Sequence, residues 1–438
     1  MKDNLPVAVI GGGAVGMAAA AHLIKRGLPF ILFEAGSSIG ANILDWSHVK
    51  VFSPWRYNID KAAEELLLQV GWVSPEKDNI HSGQEFIDRY LIPLQNHPAV
   101  NPFVNLRSKV TSIGRKNMDK MKSKGRSEQP FILQVEQESE TLYFEAGAII
   151  DASGTWHNGN PIGAGGMFAA NEAKHGERIY YGIPDVAGKL KERYKNKTVV
   201  VVGGGHSAIN TILELDKLKD EYPGTEIHWI LRKKHISDIY GGKENDALPA
   251  RGALGIRIEA LVNEDRVSVY TPFQIQEIRE EGGSLTLIGI QYENRKALSG
   301  IDEIISNTGT RPDFSFLREV RVDYDSTVES VPALADLIDP NLHSCGTVRP
   351  HGERELRQKE PDFYVVGMKS YGRAPTFLMA TGYEQVRSVT AALAGDWEAA
   401  RKVELDLPET GVCNSNIVEE ESCCAVVAED KKQISCCQ

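Results

Sequence analysis

The chain has 438 residues, 42% apolar and 25% charged, with a net charge of −11. That length exceeds one ordinary domain and implies about two, with a sizeable core. The acidic balance excludes nucleic acid and an anionic membrane surface as partners. No apolar run of about 18 residues is present and the first strand follows closely on Met1, so a cytoplasmic location is expected.

Val7 to Ile10 is a short apolar run that stops at Gly11-Gly12-Gly13 and passes through Gly16 into an alanine-rich helical stretch. Gly11, Gly13 and Gly16 stand in GxGxxG register. The first permits the turn, the second lets a pyrophosphate approach the backbone, and the third lets helix and strand pack closely. The helix start supplies free amides to the phosphates. Phe30 to Phe33 forms the next strand and ends on Glu34, where an acid grips ribose hydroxyls.

An aromatic-rich stretch from Trp46 to Tyr57 follows, centred on Phe52-Ser53-Pro54-Trp55. It reads as a long loop beside the ligand, with Trp46 and Ser53 as contact candidates; core packing of its aromatic residues is the alternative. Residues 61 to 70 and 84 to 95 have helical periodicity. Strands then follow at Val110–Ile113, Phe131–Val135 and Thr141–Phe144, a meander that feeds Ala148–Ile150 back to the ligand, with Val110 and Gly154 beside it. The basic cluster from Arg115 to Arg126 reads as a loop.

Residues 157 to 197 form a connection, after which the opening pattern recurs. Thr198 to Val202 leads into Gly203-Gly204-Gly205-His206-Ser207-Ala208, in GxGxxA register, and the strand that follows ends on Arg232-Lys233 rather than on an acid. Glu34 suits a free ribose diol, whereas Arg232 and Lys233 suit a 2′-phosphate. FAD is therefore assigned to the first site and NADPH to the second, the latter held by Gly203, Gly205, Ser207, Ala208, Arg232 and Lys233. A second meander is read at Val267–Tyr270, Phe273–Ile275, Ser284–Ile288 and Gly289–Tyr292, leading to a strand that ends at Gly309.

The chain then returns to the first unit through a strand ending at Gly367 and a long helix from Thr376 to Leu393, whose N-terminus faces the electron-rich edge of a flavin. The expected class is α/β: two Rossmann-like dinucleotide-binding domains, each with a β-meander, the NADPH domain inserted into the FAD domain. Expected boundaries are 1–185, 186–311 and 312–401, with a tail over 402–438.

Of six cysteines, the first 344 residues hold none and five lie in the tail: Cys413, Cys423, Cys424, Cys436 and Cys437. Adjacent cysteines close a strained ring when oxidised, so the two pairs favour a soft, thiophilic ion such as trivalent arsenic or antimony. Zinc and an unstructured tail are the alternatives. Cys345 with His343 is a candidate active-site pair, a buried small cysteine being the other reading.

The paired turns at Gly11 and Gly203, with linking strands ending at Gly154 and Gly309, resemble the two-dinucleotide-binding-domain flavoproteins over residues 5 to about 400. Within that group the chain is more similar to flavin-containing monooxygenase-like proteins than to disulfide reductases, which carry a redox cysteine pair beside the flavin. Two departures stand out. Phe168, His175 and Tyr180 do not match the spacing of the monooxygenase fingerprint, and Gly367-Met368 stands where the last FAD motif has Gly-Asp. With its cysteine-paired tail the chain also looks like the flavin oxidoreductases of bacterial arsenic-resistance gene clusters. The resemblance implies an NADPH-dependent FAD monooxygenase acting with O2 on a soft small-molecule or metalloid substrate. A reductase that passes electrons to the tail cysteines, and a metalloid-binding or redox-sensing flavoprotein, are the alternatives; a homodimer stays open.

Overall fold

The computed structural model describes residues 4–243, 249–339 and 348–405. Among these residues, two five-stranded parallel sheets and two three-stranded antiparallel sheets form the α/β architecture expected from the sequence.

The first sheet runs, in spatial order, Phe363–Val365, Ala148–Asp151, Val7–Ile10, Phe30–Phe33 and Val104–Asn105. Val7–Ile10 and Ala148–Asp151 are buried at every position, which is why Val7–Ile10 and Ala148–Ile150 read as unbroken apolar runs rather than alternating ones. Helix Ala14–Lys25 follows the first strand, and its Ala18–Ala21 segment is completely buried. These small side chains let it pack closely against helix Met379–Leu393, where a side chain on Gly382 would strike Val15.

After Asp151 the chain leaves this sheet and builds the second, ordered Ser268–Tyr270, Glu226–Ile230, Thr198–Val202, Glu303–Ser306 and Ile179–Tyr181. It then returns through Phe363–Val365, so one parallel unit is inserted into the other. Ile179–Tyr181 precedes the boundary expected at 186 yet pairs with Glu303–Ser306 in the second sheet. Three residues inside an irregular stretch carry no periodic signal, and only the partner strand makes them a strand.

The first meander forms as Ser108–Arg115, Phe131–Gln137 and Glu140–Ala146. The second departs from expectation. Ser268–Tyr270 joins the parallel sheet, Gly289–Gln291 is the end of strand Ser284–Gln291, and the third strand is Asn294–Ile301. That strand is exposed along most of its length, so hydrophobic alternation could not reveal it.

Two further corrections follow from packing. The long return helix begins at Met379 rather than Thr376, because the chain turns at Pro375-Thr376. The stretch from Arg115 to Arg126 is an exposed loop over residues 116–125, as read, but its two ends are not solvated: both arginines are buried and meet Glu360, Arg115 Nε donating to Oε1 at 2.8 Å and Arg126 Nη2 to Oε2 at 2.8 Å. This ion triad ties the first meander to the returning chain.

Candidate functional site

The first glycine turn is shaped by contacts that only hydrogen permits. Gly11 has φ +96°, and a β-carbon on it would lie 2.7 Å from the Ala152 carbonyl oxygen. A β-carbon on Gly16 would stand 1.9 Å from the Gly11 carbonyl oxygen. Gly13, by contrast, faces open space, and as N-cap of helix Ala14–Lys25 it has no side-chain cap. The first turn of that helix therefore leaves unpaired amides pointing outward.

Beside this opening, Glu34 is buried and its carboxylate is bound to backbone: Oε2 accepts from Gly12 N and Oε1 from Gly36 N, each at 2.6 Å. Gly11, Glu34, Val110 and Gly154 line one cavity of about 800 Å³, with Ser153 and Phe316. Its size and its buried acid fit the adenosine of a dinucleotide, and the uncapped helix start that follows Gly11-Gly12-Gly13 fits the diphosphate.

The second turn repeats the plan. Gly203 has φ +135°, and a β-carbon there would lie 2.2 Å from the Asn307 carbonyl oxygen, while Gly205 faces open space and caps helix His206–Glu221. Ala208 is completely buried where the helix meets the sheet. Trp229 Nε1 donates to the Gly203 carbonyl at 2.7 Å and pins the turn from behind, a role that nothing in its strand pattern signals. Arg232 is exposed at the strand end; Lys233 is half-buried and donates to the Asp238 carbonyl at 3.2 Å. An exposed cation at the end of the strand that follows the glycine turn fits a 2′-phosphate.

Between the two units lies a smaller cavity of about 240 Å³, lined by Phe52, Ser53, His206, Ser207, Asn210 and the segment Phe377–Ala380. The starts of helices His206–Glu221 and Met379–Leu393 both open onto it, and neither has a side-chain cap. The Phe52 ring from the first unit sits 5.5 Å from the His206 ring of the second. The aromatic stretch therefore divides its work. Phe52 and Ser53 face the cleft, Trp55 is core and stacks on His81 at 3.9 Å, and the Trp46 ring packs over Gly83.

Asn58 holds the cleft wall. Its Nδ2 donates to the Ser53 carbonyl at 2.9 Å and lies 2.8 Å from His81 Nε2, its Oδ1 accepts from Ser53 Oγ at 3.0 Å, and its carbonyl accepts from Tyr383 OH at 2.7 Å. Burial holds His81 below the ordinary imidazole range against its hydrogen bond to the Ser82 carbonyl. Asn58, His81 and Tyr383 escape sequence reasoning because they are three polar groups from distant segments.

The remaining candidates are placed as follows. Gly367 has φ +67° and donates its amide to Gln385 Oε1 at 2.7 Å; Thr376 is buried and its hydroxyl donates to the Ile338 carbonyl at 3.4 Å. His343, Cys345, Cys413, Cys423, Cys424, Cys436 and Cys437 lie outside the described residues. Among the described residues no helix is long and apolar enough to cross a membrane.

The sequence matches the family described as "Pyridine nucleotide-disulphide oxidoreductase" over residues 8–337. It is 24% identical over 357 residues to ferredoxin–NADP reductase 2 of Exiguobacterium sibiricum, covering 80% of this chain and 83% of that protein. The fold is similar to that of the bacillithiol disulfide reductase of Bacillus cereus, with TM-score 0.66, 19% identity, and 89% and 99% of the two chains covered. It is also similar to an ornithine N-hydroxylase of Kutzneria sp. 744, with TM-score 0.62, 15% identity, and 91% and 100% covered. The chain belongs to the pyridine nucleotide-disulphide oxidoreductase family and is an FAD- and NADP-dependent oxidoreductase.

Proposed function

We propose that the chain is an NADPH-dependent FAD monooxygenase whose substrate is a soft nucleophile such as a trivalent arsenical or antimonial. The observation that carries this reading is the absence of cysteine from residues 1–344. With no cysteine pair available in either dinucleotide unit before Cys345, the chain offers no thiol relay there, and a small molecule in the cleft would be the acceptor of the electrons that bound FAD supplies. FAD supplies two-electron chemistry and reaction with oxygen.

The chain's own residues bind and orient. Gly11, Gly13 and Gly16 with the start of helix Ala14–Lys25 receive the FAD diphosphate, and Glu34 receives its ribose. Gly203, Gly205, Ser207 and Arg232 hold NADPH. Phe52 and Phe377 wall the cleft against water, and Asn58 fixes the loop that carries Phe52 and Ser53. For arsenite the sum balances as arsenite, O2, NADPH and a proton giving arsenate, NADP+ and water.

One observation favours a second reading, a reductase that delivers electrons to the tail cysteines. Leu405 lines a cavity of about 600 Å³ that shares Tyr57 and Ala380 with the cleft, so the segment bearing the cysteine pairs leaves the described fold one wall away.

The test supplies NADPH, arsenite and 18O-labelled O2 to the purified flavoprotein. One labelled arsenate per NADPH supports the monooxygenase. Unlabelled arsenic with new thiols appearing on Cys423-Cys424 or Cys436-Cys437 moves the assignment to the reductase.

A further inference from the structure

The last FAD motif departs from Gly-Asp at Met368, and one residue later the chain buries a lysine. Lys369 and Asp151 are both inaccessible, and Lys369 Nζ donates to Asp151 Oδ2 at 2.7 Å. Ser153 closes the cluster: its Oγ donates to Asp151 Oδ1 at 2.6 Å and accepts from Lys369 Nζ at 3.1 Å, while its amide donates to the same Oδ1 at 3.1 Å. The ammonium also lies 4.4 Å from the centre of the Phe316 ring.

Two features give the cluster a direction. Ser153 and Phe316 line the larger cavity, so the ion pair lies directly beneath its floor. The turn that it shapes is the one against which Gly11 packs, a β-carbon there falling 2.9 Å from Ser153 Cα. Three segments distant in sequence, around Gly11, Ser153 and Lys369, are thus locked at one point. A buried ion pair is on its own a weak source of stability, since apolar replacements often do as well. Its position under a site for a diphosphate supplies another reason for it.

We infer that Lys369 is a positioning residue for FAD: it neutralises Asp151 beneath the cavity that would receive the diphosphate and, through its own bond to Ser153 Oγ, orders the turn ending at Gly154 against the Gly11 loop. This rests on the reading of the larger cavity as the FAD site. Without the lysine, Asp151 leaves a buried negative charge facing an anionic ligand. Without the aspartate, the lysine leaves a positive one. The two losses therefore act on FAD with opposite sign, whereas a merely structural pair would lose affinity on both sides.

The test measures FAD dissociation from the holoenzyme by the rise in flavin fluorescence on dilution, for the wild type, K369M, K369R, D151N and the double variant. K369M is expected to release FAD at least a hundredfold more readily, D151N to hold it as tightly as the wild type or better, and the double variant to fall within about tenfold of the wild type. K369R, which keeps the charge, is expected to stay within about threefold and decides the matter if K369M does not fold. Equal weakening in K369M and D151N, or loss of FAD from K369R equal to that from K369M, overturns the inference. A wild-type protein that holds no FAD overturns the assignment of the cavity instead.

Discussion

A β-carbon on Gly16 would stand 1.9 Å from the carbonyl oxygen of Gly11, whereas one on Gly13, three residues earlier, would meet no protein atom within 4 Å. The two glycines are required for different reasons, packing at Gly16 and access at Gly13. Gly16→Ala forces helix Ala14–Lys25 off its strand and is expected to cost more than about 3 kcal/mol, as overpacking does at its worst. Gly13→Ala is expected to leave the Tm of the FAD-free protein within a few degrees of wild type and to weaken FAD alone. Thermal unfolding with and without FAD separates the two effects.

Glu34 holds backbone as well as facing the cavity. Its two oxygens accept from Gly12 and Gly36, so Glu34→Gln sets an amide NH2 against one of those donors. Each charged hydrogen bond is worth about 1.5–3 kcal/mol. The variant is expected to lose about that much stability even without FAD, and to bind FAD tenfold or more weakly. A residue that touched only the ribose would leave the FAD-free protein unchanged in the same melting experiment.

Arg232 is exposed and, among the described residues, has no partner, so its removal leaves the fold intact. Arg232→Ala is expected to raise KM for NADPH by about ten- to a hundredfold, the worth of a charge-assisted phosphate contact. KM for NADH is expected to stay the same. Steady-state kinetics with both nucleotides reads the difference, and an equal rise for both contradicts the 2′-phosphate role.

Stability is expected to fall on mild acidification. Burial depresses His81 and His351 below the ordinary imidazole value, and in both rings Nδ1 lies on a backbone carbonyl, that of Ser82 or Arg349, while Nε2 faces the side-chain amide of Asn58 or Gln385. The neutral ring suits these partners. Between about pH 6.5 and the lower folded value the unfolded chain binds protons that the fold refuses. Stability is therefore full above about pH 6.5 and falls by up to about 1.4 kcal/mol per pH unit for each histidine as pH drops. His351→Gln is expected to flatten the decline of Tm between pH 6.5 and 5; an unchanged slope contradicts this assignment.

By itself, the amino-acid sequence determined the two glycine turns, their strands, the acid after one and the bases after the other, and hence the nested α/β plan. Those signals are local: a glycine register, a run of buried β-branched residues and a charge at a strand end lie within a few residues of each other. Tertiary structure alone decided what lies far apart in the chain. Lys369 meets Asp151 across 218 residues, Tyr383 meets Asn58 across 325, and Glu360 draws in Arg115 across 245. The same holds for strand Ile179–Tyr181, which pairs with the distant Glu303–Ser306, while Asn294–Ile301 is a strand because the preceding hairpin arm offers it hydrogen bonds and not because its side chains alternate. A buried charge or an edge strand is defined by the group opposite it, and no period in the sequence records which group the fold will bring there.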